Sequence, residues 1–309
     1  MTATTQTPTV SVADLRKQVR STALKALGRS VGKSVLVALG TFALVIAAWL
    51  AVLTFFGISP YVAKGPLDVW AFLVTDADAP ANRDVLGANL AVTLRHSATA
   101  FVVGLVVAIL GAILFRVSKG AESALMPVAM LLRSVPLIAL APVIILIFGF
   151  GSEASVAVIG GIVVLFPALV TMVFGLKAAS PQMLDVVAVY GGGTLTAVRK
   201  VALPGALPSL FAAIRISVPG AITGALLVEM LSTGDGIGFS TLQYLPQAKF
   251  ADVWASVVVV TAISLALYFV VQVIETLVLA RMGMGTDRDR KSTRLNSSHC
   301  TPSRMPSSA

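Results

Sequence analysis

The chain has 309 residues, 57% of them hydrophobic and only 12% charged, with a mean hydropathy of +0.92, a composition that excludes an ordinary water-soluble domain. Its net charge is +9, but the Lys and Arg residues cluster around long apolar runs without interleaved aromatics, which excludes a nucleic-acid partner and reads as membrane topology. One cysteine, Cys300, and two distant histidines, His96 and His299, provide neither an internal disulfide nor a metal-ligand cluster.

Residues 1–34 form a first, cytoplasmic segment. Val12, Leu15, Val19, Ala23, Ala26 and Val31 recur at helical spacing, with Arg16, Lys17, Arg20, Lys25, Arg29 and Lys33 around the remaining faces. The expectation is an amphipathic helix on the anionic leaflet of a lipid bilayer, with a solvated helical tail as the alternative. The segment is not expected to be a cleaved signal peptide, because its polar stretch is long and no Ala-x-Ala-like site follows the first apolar run. Gly32-Lys33-Ser34 resembles the end of a P-loop, but position 27, where the first glycine belongs, is Leu. Without a preceding buried strand, nucleotide binding by this chain is not expected.

The region 35–280 reads as an all-α, polytopic transmembrane domain of about six helices, each of about 20 apolar residues. Val35 to Phe56, Ser97 to Phe115, Ala154 to Leu176 and Val253 to Ile274 contain no Asp, Glu, Lys or Arg. Two further spans are interrupted. Leu125 to Phe150 carries Arg133, Pro127, Pro136 and Pro142, and Pro208 to Leu231 carries Arg215, Pro219 and Glu229. Six spans put both termini on one side, and the positive-inside rule makes that side cytoplasmic. The inner segments then hold Arg116, Lys119, Lys177, Arg199, Lys200, Arg281, Arg288, Arg290 and Lys291, while the outer segments hold Lys64, Arg83, Arg95 and Lys249, and the first outer loop adds Asp68, Asp76, Asp78 and Asp84. From 281 to 309 the hydrophobic periodicity is lost, as in a disordered tail. Within it Lys291 to His299 resembles a translated cloning adaptor.

The inner loop Ala178 to Leu207 has its own pattern. Pro181 starts a helix, Met183, Val186, Val187 and Tyr190 give it an apolar stripe, and the glycines at 191 to 193 stop it. A second short helix follows, with Thr194 as its cap, Leu195, Val198 and Val201 on one face, and Leu203-Pro204 at its end. The expectation is a cytoplasmic helix-turn-helix.

These residues resemble the membrane subunits of binding-protein-dependent ABC importers. The signature of that family in this loop runs Glu-Ala-Ala, three residues, Gly, nine residues, Ile, one residue, Leu-Pro. Here Asp185-Val186-Val187 precedes Gly191, and Val201-Ala202-Leu203-Pro204 follows at the same spacing. Asp replaces Glu, and valines replace both small alanines. Ser134 to Pro142 with Phe148-Gly-Phe-Gly151, and Val228-Glu229 before Gly234-Asp-Gly-Ile-Gly238, are similar to the nitrate, sulfonate and taurine branch. The resemblance covers roughly Gly87 to Leu279. It implies a permease with no catalytic residue, cofactor or metal of its own, located in the bacterial cell membrane. It further implies coupling to cytoplasmic ABC ATPase subunits through Asp185, Val186, Val187, Gly191, Val201, Leu203 and Pro204. A second permease subunit, in a homodimer, and an extracytoplasmic solute-binding protein complete the implied assembly.

In the fifth span Pro219 removes a backbone donor, and Gly220 to Gly224 forms a small-xxx-small face. Pro219, Gly220 and Gly224 are therefore candidates for pathway or dimer contact, with plain packing as the alternative. Arg133 and Glu229 are polar groups at membrane depth, fitted equally by lining a vestibule and by packing or snorkelling. An ion-coupled secondary transporter is the rival reading, but it calls for internal repeats and intramembrane carboxylates that the four uncharged spans lack. A membrane enzyme lacks a nucleophile and base pair.

Overall fold

The computed structural model describes residues 40–282. The amphipathic segment expected at 1–34 and the tail beyond 282 lie outside the described residues. The chain divides into two compact units, Met1–Asp68 and Val69–Ala309. In the first, helix α1 spans Gly40–Phe55, the described part of the span expected at Val35 to Phe56. It ends where Gly57 takes a positive φ of 57°, a conformation that a side chain would disfavour.

Helix α2 (Pro66–Trp70) continues into a π-helical turn, Ala71–Thr75. Helix α3 then runs through Ala79–Val117. It begins well before Ser97, the expected start of the second span, because a helix need not stop at the bilayer surface. At 1.5 Å per residue it is about 58 Å long, roughly twice a hydrocarbon core. Helices α4 (Lys119–Ser134) and α5 (Leu137–Phe148) divide the expected third span. The break falls at Pro136, which is extended at φ −61°, ψ 110°; its ring disfavours helical backbone at the preceding residue. Pro127 and Pro142 are accommodated inside these helices.

Helix α6 (Glu153–Lys177) is capped by Ser152, whose hydroxyl accepts the Ser155 N–H at 3.1 Å. Then come α7 (Pro181–Val189), α8 (Thr194–Ala197), a π-helical turn at Val198–Ala202 and α9 (Leu203–Gly205). Helix α10 (Leu207–Val228) passes into another π-helical turn, Glu229–Thr233, before α11 (Gly236–Tyr244) and α12 (Phe250–Arg281). Among the described residues four helices are long and apolar enough to cross a membrane: α3, α6, α10 with its following turn, and α12. The remaining two of the six expected spans are α1, described from Gly40, and the divided α4 and α5.

The second unit is built on α3, α6 and α10, and small residues bring these helices together. A Cβ on Gly104 would lie 2.6 Å from the Gly161 carbonyl oxygen, and one on Gly160 would lie 2.5 Å from the Ala100 Cβ. A Cβ on Gly224 would lie 2.7 Å from the Gly160 Cα. Between apolar helices in lipid such close backbone approach supplies the van der Waals contact that hydrophobic burial supplies in water. Toward one end of this bundle the core widens into Phe115, Leu169, Met172, Leu176, Ala202 and Ala206, and Lys177 pairs with Glu122 at its edge.

Candidate functional site

The end at which Lys177 lies also carries the helix pair expected from the sequence. Pro181 stands at the first turn of α7, where its missing N–H is harmless. The helix closes in a Schellman arrangement: Gly192 N–H donates to the Val187 carbonyl at 2.8 Å and Gly191 N–H to that of Ala188 at 2.9 Å. Gly191 has φ +75°, with nothing within 4 Å of the position a Cβ would take. Gly192 is limited by space instead, since its Cβ would meet Val187 Cγ1 at 2.5 Å.

The turn displays an apolar surface. Val189 is 85% exposed and Tyr190 87%, beside exposed Met183, Val186 and Leu195. Asp185 and Pro204 are exposed, whereas Val187, Val201 and Leu203 are half-buried. Val198 and Ala202 turn inward and are buried, joining the pair to the body of the bundle. Thr194 is the first residue of α8 and not its cap; Gly193 occupies the cap position, without a side-chain bond. Leu203-Pro204 does not end the second helix either, because the chain continues through α9 to Ala206.

The three fifth-span candidates separate. Pro219 leaves α10 unbroken: it removes one donor, and the rest of the i to i−4 ladder carries on. Pro219 and Gly220 are half-buried, and a Cβ on Gly220 would sit at an ordinary 3.6 Å from Val163. Gly224 is buried against Gly160 within the same chain. The close-packing face expected at Gly220 to Gly224 is thus engaged by α6 at its Gly224 end. Nearer the Lys177 end of α10, Arg215 pairs with Glu275 of α12 at 3.0 Å and lies over the Tyr268 ring at 5.7 Å.

At the opposite end is a polar cluster that sequence reasoning missed. Glu229 is 0% exposed. Its Oε1 is 2.9 Å from His96 Nδ1, and its Oε2 accepts the Thr93 hydroxyl and the Gly238 N–H, both at 2.9 Å. Thr93 Oγ1 in turn accepts the Ile237 N–H at 2.9 Å. Arg95, 3.3 Å from His96 Nε2, fills that nitrogen's acceptor role, which leaves Nδ1 to donate to Glu229. Arg95 also pairs with Glu153 at 3.1 Å. His96, without a partner when read along the sequence, therefore has two. The side chain of Arg133 lies outside the described set. Gly236 is the cluster's sequence signal, because a Cβ there would fall 2.3 Å from the Glu229 carboxyl carbon.

Long apolar helices joined through small residues, with a carboxylate buried and fully bonded at one end and an exposed apolar helix pair at the other, define a polytopic membrane protein. Residues 100–284 match the family described as "Binding-protein-dependent transport system inner membrane component", and the chain belongs to that family. It is 27% identical over 221 residues to a probable ABC transporter permease protein of Haemophilus influenzae, covering 72% of this chain and 87% of the relative. A formylaminopyrimidine transport permease protein of Halalkalibacterium halodurans is 24% identical over 71% of this chain and 86% of its own length. A putative aliphatic sulfonates transport permease protein of Bacillus subtilis is 25% identical over 70% of this chain and 77% of its own. The protein is a permease subunit of an ABC importer and contributes to the solute pathway across the membrane.

Proposed function

We propose that two copies of this chain pair to enclose a pathway in the cytoplasmic membrane, with both termini cytoplasmic. ATP hydrolysis on separate ABC ATPase subunits drives the pair between inward-open and outward-open states. The element from Asp185 to Pro204 is the lever: α7 and the turn at Gly191 seat in a groove on the ATPase subunit. A soluble binding protein delivers the solute to the outer face. The solute is a small sulfonate, nitrate or a related compound, by similarity to relatives such as the aliphatic sulfonate permease. Pro219 and Gly220, half-buried on α10, belong to the pathway or to the pairing face.

The observation that carries this reading is the exposed apolar group of Met183, Val186, Val189, Tyr190 and Leu195. Exposed large apolar side chains on an inner loop call for a covering partner, and these residues sit on the loop whose spacing matches the family's coupling signature. Val189→Asp tests it, because a charge at that exposed position touches no core residue. Membrane content should stay at the wild-type level while co-purification with the ATPase subunit is lost. Undiminished co-purification would remove the coupling assignment.

A further inference from the structure

We propose that Thr93, His96 and Glu229 are positioning residues. They form a clasp that fixes the turn Gly234–Gly238 and α11 onto α3, so that this end of α3 and α10 moves as one body during transport. The clasp ties α3, remote in the chain, to the end of α10 and to the start of α11, which follows α10 after a short turn. Glu229 lies just past α10, Thr93 and His96 lie on α3, and the Ile237 and Gly238 N–H groups belong to the first turn of α11. Every donor and acceptor in it is matched. The carboxylate takes three donors, and the Thr93 hydroxyl donates to Glu229 while accepting from Ile237.

The surrounding backbone is shaped to this carboxylate. Gly236 holds φ +86°, and its missing Cβ leaves the space the carboxyl group fills. Gly238 has equally little room, since a Cβ there would lie 2.5 Å from the Leu226 carbonyl oxygen. The turn is folded around a buried carboxyl group, with two glycines at positions where a Cβ would clash. Releasing it strands a carboxylate and two amides away from water. Glu229 is inaccessible and His96 only 3% exposed, so neither meets the solute. The clasp therefore acts through the backbone it holds.

The function follows from where the clasp sits. On the reading given above, the Lys177 end faces the ATPase and the Glu229 end faces outward, so the clasp ties the outer end of α10 to the outward-facing part of α3. Motion delivered to α10 at one end then reaches α3 and α11 at the other as a rigid displacement. Glu229→Gln should be tolerated. Its amide oxygen can take the Thr93 and Gly238 donors, and its NH2 can face His96 once the ring protonates on Nε2 instead, at the loss of the 3.3 Å contact from the exposed Arg95. Glu229→Leu cannot substitute.

Hydrogen exchange in the full-length, detergent-purified chain reads the clasp directly. Thr93→Val, close to isosteric, should speed exchange of the segment 234–244 about tenfold. Thr93→Ser should restore protection, and Glu229→Gln should stay within about threefold of wild type. In membranes containing the ATPase subunits and binding protein, with ethanesulfonate as the probe, Thr93→Val should lower the maximal uptake rate several-fold and leave the half-saturating concentration unchanged. Unchanged exchange in Thr93→Val would overturn the proposal, as would a Gln variant as deprotected as Leu, or a raised half-saturation with a normal maximal rate. A wild-type chain that takes up no ethanesulfonate counts against the substrate reading alone, because the exchange measurements still decide the clasp.

Discussion

Gly191 is the position at which one backbone angle can be separated from packing. Its φ is +75° and no atom lies within 4 Å of where a Cβ would stand, so a valine there meets no neighbour. What it meets is its own backbone: a non-glycine residue in the left-handed region is disfavoured by about 1–2 kcal/mol, and a β-branched one by more. If the Schellman turn is to keep its bonds from Gly191 to Ala188 and from Gly192 to Val187, that strain is drawn from the association it serves. One to two kcal/mol corresponds to a factor of about 5 to 30 in an equilibrium constant. Gly191→Val should therefore insert normally, bind the ATPase subunit at least about fivefold more weakly, and lose uptake. Gly191→Ala should be milder, and Gly191→Asn, which tolerates this region, should approach wild type. Co-purification across a concentration series, with membrane content measured in parallel, reads all three. Wild-type association in Gly191→Val, or an Asn variant as weak as the Val variant, would refute the argument from φ.

Further outcomes are expected elsewhere in the molecule. Gly224→Ala should lower the midpoint of thermal unfolding in detergent, by an overpacking cost of about 1–3 kcal/mol, because its Cβ falls 2.7 Å from Gly160; Gly220→Ala, with an ordinary 3.6 Å contact, should not. Arg215→Met and Glu275→Met should each reduce folded protein in the membrane, since each strands the other's charge, and the double variant should recover much of the loss; additive losses would show that the pair is uncoupled. With Cys300 replaced by Ser, a cysteine at the exposed Ala77 should react with a membrane-impermeant reagent in intact cells and one at the exposed Lys200 should not. The reverse pattern would invert the topology.

Hydrophobic run length and turn residues are local properties, and they place the membrane helices of this chain. Of the four uncharged stretches, three lie in α3, α6 and α12 and the first is described from Gly40 as α1, Pro136 divides the third span, and Pro181 and Gly191 bound α7. The spacing from Asp185 to Pro204 was also legible, because a helix-turn-helix repeats its pattern within a few residues. Three features were settled only in three dimensions. Gly224 is taken up by Gly160, whose distance along the chain gives no sign of contact. Pro219 leaves its helix intact, since one missing donor is a small loss when the rest of the ladder and the packed neighbours remain. Glu229 looked along the sequence like an isolated charge in an apolar span, and His96, just ahead of the second span, like a histidine without a partner. Their pairing across 133 positions depends on how α3 and α10 pack, because a buried polar group declares its type in the sequence while its partner is chosen by the fold.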